Sequence, residues 1–326
     1  MKALLLSILA LIADAYVSCK DDNGKDVDYW WAIKEPEGTK YIVHSNNGFV
    51  LSGHSMNDTS MGVLAKTAAQ AWTSNNGFMM FNDEPPGSTD YNFSYGHTKG
   101  VWIWNDDGSA LVLTHSVPLF PVGPGDAHTY KGLGSNAYKY AQHVVCLTVS
   151  VDDLEGIAPH AMLTAPQIYD SRLTSSTPAA LRSLVSGAVS HDATCTSYNL
   201  SVGGLSVTYF AKSAEWNNGL YSACIGPQLG TNLLVESWVH GSAQGPYCGS
   251  PYTVLDISAL NFNDAFGFKE GVDHSKWAVG DTVACASDIN RMTTQFKRGG
   301  GAFCLADARL VGDLKAAVVG TDSCPS

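Results

Sequence analysis

The sequence predicts a mixed α/β protein built from two similar halves, and three observations carry that expectation. Short apolar runs of strand character alternate with stretches of helical pattern along the chain. Between about Ser171 and Thr196 the composition turns to Ser, Thr, Ala and Pro, which marks a connecting segment. A His-x-Lys triplet, His97-Thr98-Lys99, returns as His274-Ser275-Lys276, 177 residues later.

Composition narrows the classes. The 326 residues are 45% hydrophobic and 15% charged, against roughly 25% charged in ordinary domains. Such a chain is too apolar to be disordered, and no apolar run approaches the ~20 residues of a membrane span. The formal charge of 19 − 30 = −11 opposes passive binding to polyanions at neutral pH. Protonating all ten histidines would bring the sum to −1, so acid removes most of that repulsion.

Taken in order, residues 1–15 read as a signal peptide. Lys2 opens it, Ala3 to Ile12 form the short apolar stretch, and Ala13-Asp14-Ala15 is a small-x-small cleavage site. The first half, 16–170, predicts strands at 28–33, 41–43, 78–81, 101–104, 111–113 and 143–149, with helices at 60–73 and 151–160. The connecting segment, 171–196, leads into a predicted helix at 178–189 that overlaps it. The second half, 197–326, predicts strands at 205–211, 233–239, 252–257, 277–279 and 282–286, then a helix at 307–319.

All eight cysteines lie beyond the leader, and an even count in an exported chain predicts disulfides, although spacing selects no pairing. Sequons at Asn57, Asn92 and Asn199 predict surface glycosylation. Together these features place the protein in the secretory pathway.

Each His-x-Lys triplet opens a strand-like run that turns and returns. On a strand, residues i and i+2 share a face, so each triplet presents an imidazole beside an ammonium. A turn in Asn105-Asp106-Asp107-Gly108 centred near residue 106 places His97 opposite His115 or Ser116, and Lys99 opposite Leu113 or Thr114. A turn at Gly280-Asp281 places His274 opposite Ser287 and Lys276 opposite Cys285, with Asn290 three residues further on.

Phosphodiester cleavage could use such a layout. It needs a nucleophile, a proton donor for the leaving alkoxide, and cations against the phosphoryl oxygens. Two histidines supply the first two and two lysines the third, so this reading requires no cofactor and no metal. One imidazole must be neutral while the other is protonated, which favours acid. Lys297-Arg298 with three following glycines would contact phosphates, or form an ordinary basic loop. The tryptophans Trp30, Trp31, Trp102 and Trp104 could stack bases, but strand alternation favours the core. The remaining histidines (44, 54, 128, 143, 160, 191 and 240) read as structural.

Several motifs closely resemble the deoxyribonuclease II family: Tyr95-Gly-His-Thr-Lys-Gly100, His115-Ser-Val-Pro-Leu-Phe-Pro121, Leu229-Gly-Thr-Asn232, Asp273-His-Ser-Lys-Trp277 and Lys297-Arg-Gly-Gly-Gly301. Cys19 to Trp30 and Asn82-Asp-Glu-Pro-Pro86 are similar as well, so the likeness spans Cys19 to Cys324. The resemblance implies a phospholipase D-like pseudo-dimer with one site between two α/β halves. It implies metal-independent endonucleolytic cleavage of DNA in acid, leaving 3′-phosphate and 5′-hydroxyl ends, in lysosomes or outside the cell. His97, Lys99, His115, His274 and Lys276 match the family's catalytic positions, with His97 favoured as nucleophile. Ser287 and Asn290, with Lys297 and Arg298, would bind substrate, and Asn105-Asp106 stands near the place of the pattern's aspartate. The resemblance also implies bridges Cys19–Cys146, Cys248–Cys324 and Cys285–Cys304, whereas Cys195 and Cys224 look like an addition to that set and their pairing stays open. A phospholipase-D-like lipid hydrolase and a non-catalytic nucleic-acid-binding relative are the alternatives. Oligomeric state is not determined by the sequence.

Overall fold

The computed structural model describes residues 16–45, 48–89, 92–238, 240–263 and 265–325, so the predicted leader lies outside the described residues, as does Val239 of a predicted strand. Strands β1 (Cys19–Lys20) and β2 (Asp26–Val27) pair as a short ribbon. Next come β3 (Tyr29–Lys34), β4 (Tyr41–Ser45), β5 (Gly48–Leu51), β6 (Gly77–Asn82), β7 (Lys99–Trp104), β8 (Ser109–His115), β9 (Gln142–Ser150) and β10 (Ile168–Arg172). They form an eight-stranded sheet ordered β10-β6-β7-β8-β9-β3-β4-β5.

A second, nine-stranded sheet follows. Its strands are β11 (Cys195–Val202), β12 (Leu205–Lys212), β13 (Leu233–Glu236), β14 (Val254–Asn261), β15 (Gly267–Lys269), β16 (Trp277–Val279), β17 (Ala284–Ser287), β18 (Gly300–Leu305) and β19 (Val318–Thr321). The order is β11-β12-β18-β17-β16-β13-β14-β15, with β19 also on β14. The stretches β6-β7-β8-β9-β3 and β13-β16-β17-β18-β12 visit their strands in the same chain order. Hairpins β7–β8 and β16–β17 therefore occupy equivalent places, and the protein is a mixed α/β fold of two similar halves.

Alternation along the strands makes the layers. Trp31, Ile33, Trp102 and Trp104 face a core shared by both sheets, together with Tyr209, Trp277 and Phe303. Trp30, Ala32, Val101 and Ile103 face the other side of the first sheet, under helix α1 (Gly62–Ala68). A third cluster covers the outer face of the second sheet. Helices α2 (Val151–Leu163), α3 (Ala179–Val185) and α5 (Ala308–Ala317) pack into the shared core, while α4 (Gly226–Leu229) is a single turn. Helix α2 starts at a capping box: the Asp153 amide donates to Ser150 Oγ at 3.0 Å and the Ser150 amide donates to Asp153 Oδ2 at 2.8 Å.

Several boundaries differ from the sequence expectation. The helix predicted at 178–189 stops at Val185, before Gly187 with φ +87°. The helix predicted at 307–319 ends at Ala317, and Val318 begins β19. Strand β11 was not anticipated, because only Leu200 and Val202 of its eight residues are buried.

Both hairpin registers are corrected. In the first, the Asn105 amide donates to the Ser109 carbonyl at 2.9 Å and Trp104 pairs with Ala110, so Lys99 comes level with His115. In the second, the Gly280 amide donates to the Val283 carbonyl at 2.8 Å, which makes a longer turn than Gly280-Asp281. The Ser287 amide donates to the Lys276 carbonyl at 2.8 Å, so Lys276 faces Ser287, and Cys285 pairs with Ala278.

Disulfides join Cys19–Cys146, Cys195–Cys224, Cys248–Cys324 and Cys285–Cys304. No helix among the described residues is long and apolar enough to cross a membrane.

Candidate active site

The two imidazoles are fixed by the opposite half. His97 precedes β7, and its Nδ1–H donates to the Asp288 carbonyl, just after β17, at 2.6 Å. His274 precedes β16, and its Nδ1–H donates to the Ser116 carbonyl, just after β8, at 2.9 Å. A carbonyl can only accept, so Nδ1 holds the proton in both neutral rings and Nε2 keeps its lone pair. Backbone bonds repeat the exchange: the His97 amide donates to the Gly299 carbonyl at 2.8 Å, and the His274 amide to the Ala141 carbonyl at 2.9 Å.

Glycine makes the first of these contacts possible. A Cβ on Gly96 would lie 1.7 Å from the Thr164 carbonyl oxygen, and one on Gly299 would lie 2.4 Å from it. Two chain segments can pass this carbonyl only without side chains. A buried lysine stands behind each half of the site. Lys212 Nζ donates to the Phe296 and Arg298 carbonyls at 2.9 and 2.6 Å. Lys34 Nζ donates to the Gly38 and Tyr138 carbonyls at 2.8 and 3.3 Å.

Asp83 gathers the cations of the first motif. It pairs with Lys99 and accepts from Arg298 Nη2 at 3.0 Å, and His97 Nε2 lies 3.9 Å away. Burial opposes its ionisation, yet Lys99, His97 and Arg298 hold its carboxyl well below the usual range. Burial pushes His97 down to about 3; Asp83 opposes this, while Lys99, Lys276 and Arg298 reinforce it. Burial holds His274 well below the usual imidazole range, and Lys276, Lys99 and His97 add to the depression. Burial, then Lys99, brings Lys276 down to about 7. The two motifs therefore feel each other's charge.

His115 has the other tautomer. The Val117 amide donates to its Nδ1 at 3.2 Å, so the proton sits on Nε2, which is buried and has no partner among the described residues. Gln142 accepts from Ser116 Oγ at 2.5 Å, and its buried Nε2 is likewise unpartnered among the described residues. Two buried donors without acceptors suit an anionic guest.

The expected residues are not all gathered here. Arg298 is buried in the site, whereas Lys297 is exposed. Ser287 Oγ donates to the Gly301 carbonyl at 3.1 Å, and Asn290 is buried with Oδ1 unpartnered among the described residues. The suggested position of the acidic residue at Asn105-Asp106 is corrected. Asp106 accepts from Ser175 at the far hairpin turn, and Asn105 bonds Asn76; Asp83 is the aspartate beside Lys99. Asp83 is not among the residues the sequence singles out, although it lies in the Asn82-Asp-Glu-Pro-Pro86 run. His143 is also closer to the chemistry than its structural reading implied, since it accepts from the Lys276 amide at 3.1 Å. Behind His274, Glu236 and Asp273 are fully buried and interact side chain to side chain. Burial raises both carboxyls, so a shared proton satisfies the pair.

Of the sequons, Asn92 and Asn199 are exposed, while the Asn57 amide donates to the Tyr138 hydroxyl at 3.0 Å.

The family profile of deoxyribonuclease II matches residues 18–324. Deoxyribonuclease-2-alpha of Rattus norvegicus is 30% identical over 328 residues, covering 93% of each chain. Deoxyribonuclease-2 of Caenorhabditis elegans is 28% identical, covering 94% of this chain and 95% of the relative. Plancitoxin-1 of Acanthaster planci is 29% identical, covering 90% and 88%. With a profile match over almost its whole length and relatives of this coverage, the chain belongs to the deoxyribonuclease II family.

Proposed function

We propose that this protein is an acid endonuclease that hydrolyses DNA phosphodiesters without divalent metal, on a phospholipase D-like pseudo-dimer of halves 16–170 and 197–326. The observation that carries the reading is the crossed anchoring of His97 and His274, each by a carbonyl of the other half, with Lys99 and Lys276 beside them.

The charge asymmetry divides the work. Burial, with Lys276, Lys99 and His97 around it, holds His274 well below the usual imidazole range, so it stays neutral and its Nε2 attacks phosphorus. His97 has Asp83 within 3.9 Å, which favours the imidazolium, so it protonates O5′ as the P–O5′ bond breaks. This assignment reverses the sequence-based preference for His97 as nucleophile. The phosphohistidine retains the 3′ oxygen. Water then attacks phosphorus, His97 takes its proton, and the P–N bond breaks. The products carry a 3′-phosphate and a 5′-hydroxyl. Lys99, Lys276 and the Nε2–H of His115 stabilise charge on the phosphoryl oxygens, with Arg298 holding Asp83.

Acid is needed because the unliganded His97 is depressed to about 3; an arriving phosphodiester anion raises it towards the working pH. An acidified lysosome or an acidic extracellular setting suits this chemistry, and glycans on Asn92 and Asn199 would suit the secretory route.

Plasmid nicking across pH 4–8 in chelator, with end-group analysis, tests the reading. Nicking confined to acid is expected, and His274→Ala should abolish it. A magnesium requirement, 5′-phosphate ends, or full activity in His274→Ala would each refute it.

A further inference from the structure

A ladder of rings leads outward from His274. Trp238 meets it edge-on at 5.4 Å between centroids, and Tyr140 meets Trp238 edge-on at 4.5 Å. His240 lies over Trp238 at 3.8 Å, and Lys139 Nζ lies 4.9 Å from the Tyr140 ring centroid. Trp238 and Tyr140 are half-buried and His240 is exposed, so the ladder reaches solvent.

The core does not account for it. The other seven of the eight tryptophans belong to, or pack against, one of three hydrophobic clusters; Trp238 does neither. Trp30, Trp31, Trp102 and Trp104, the candidates for stacking on sequence grounds, are all core residues, whereas His240, structural on sequence grounds, is exposed.

The ladder is also held in place. Tyr140 adjoins Ala141, whose amide donates to the Val272 carbonyl at 2.9 Å and whose carbonyl anchors His274. Trp238 follows Ser237, whose hydroxyl accepts from the Arg291 amide at 3.0 Å. The rings are thus fixed relative to the reacting imidazole.

We propose that Tyr140, Trp238 and His240 form the seat of a nucleobase flanking the scissile phosphate on the His274 side. This rests on the hydrolytic reading above. Every base has a π-face, so the seat tolerates all four bases. A base inside a duplex has both faces covered, so the flanking nucleotide must leave the stack to occupy the seat, and an abasic or unpaired position there isolates the stacking contribution.

The test is an abasic scan of a single-stranded oligonucleotide, read as the kcat/KM ratio of base-bearing to abasic substrate at each position. Wild type should favour the base by roughly 5- to 150-fold at one position next to the cleaved bond. Trp238→Ala should collapse that ratio towards one, and Trp238→Phe should keep most of it. No position-specific preference in wild type, or an unchanged ratio in Trp238→Ala, overturns the seat, and the wild-type scan needs no variant to fold. If wild type cleaves nothing, the hydrolytic reading fails by itself. Fluorescence quenching by an uncleaved oligonucleotide, compared with an abasic one, then still tests the seat: base-dependent quenching supports it and equal quenching overturns it.

Discussion

Replacing Asp83 with Asn tests the electrostatics of the site most directly. Lys99 is 2% exposed and Arg298 is 8% exposed, and both use Asp83 as their acidic partner. Removing one member of a buried ion pair costs about 3–5 kcal/mol, because the remaining charges stay desolvated. The same change removes the carboxylate 3.9 Å from His97 Nε2. At an effective dielectric of about 20 that contact is worth at most about 4 kcal/mol, or ~3 pKa units. The sign follows from the charge: without the anion, His97 accepts its proton only at lower pH. The kcat/KM profile of Asp83→Asn should therefore shift to lower pH by roughly one to three units, with a fall in thermal midpoint. The two measurements are a pH–rate series in chelator and a melting curve. An unshifted pH limb in a protein that still melts cooperatively would refute the proton-donor role of His97.

Three further outcomes are expected. Gly299→Ala puts a methyl 2.4 Å from the Thr164 carbonyl and must move the carbonyl that receives the His97 amide. Turnover should fall at least about tenfold with about 1–3 kcal/mol of stability, and wild-type turnover would contradict the tight passage. Glu236 binds its proton more tightly folded than unfolded, so stability on its account falls as pH rises above the unfolded value of about 4.3. Urea midpoints at about pH 5 and pH 8 should therefore differ less in Glu236→Gln than in wild type; an identical difference would dismiss the shared proton. Removing the Cys285–Cys304 bridge, which closes a 19-residue separation, should cost about 3 kcal/mol by urea unfolding, and an unchanged midpoint would show that β17–β18 pairing suffices.

Much of this was legible because local chemistry and topology agree. The His-x-Lys echo needs only a two-residue side-chain period, and the strand runs around Trp30–Trp31 and Trp102–Trp104 bury both faces. Register was less legible. Turn length sets it, and Asp106, Asp107 and Gly108, or Asp281 and Thr282, fit turns of several lengths. Asp83 escaped notice because its role depends on Arg298, 215 positions away, and no short-range pattern joins them. Trp238 escaped for a different reason. An apolar residue beside a strand normally signals core, and its lack of core partners is visible only once the sheets are packed.

The crossed anchoring of the histidines also changes how damage should be traced. A lesion at Ser116 or Gln142 would loosen the ring belonging to the later half, and one at Asp288 or Gly299 would loosen the ring belonging to the earlier half. Inactivating substitutions should therefore map to the opposite half of the chain from the histidine they disable, although they touch it in space. Severed at the linker and kept apart, neither fragment could hold its own imidazole, so function should reappear only when the two pieces are recombined.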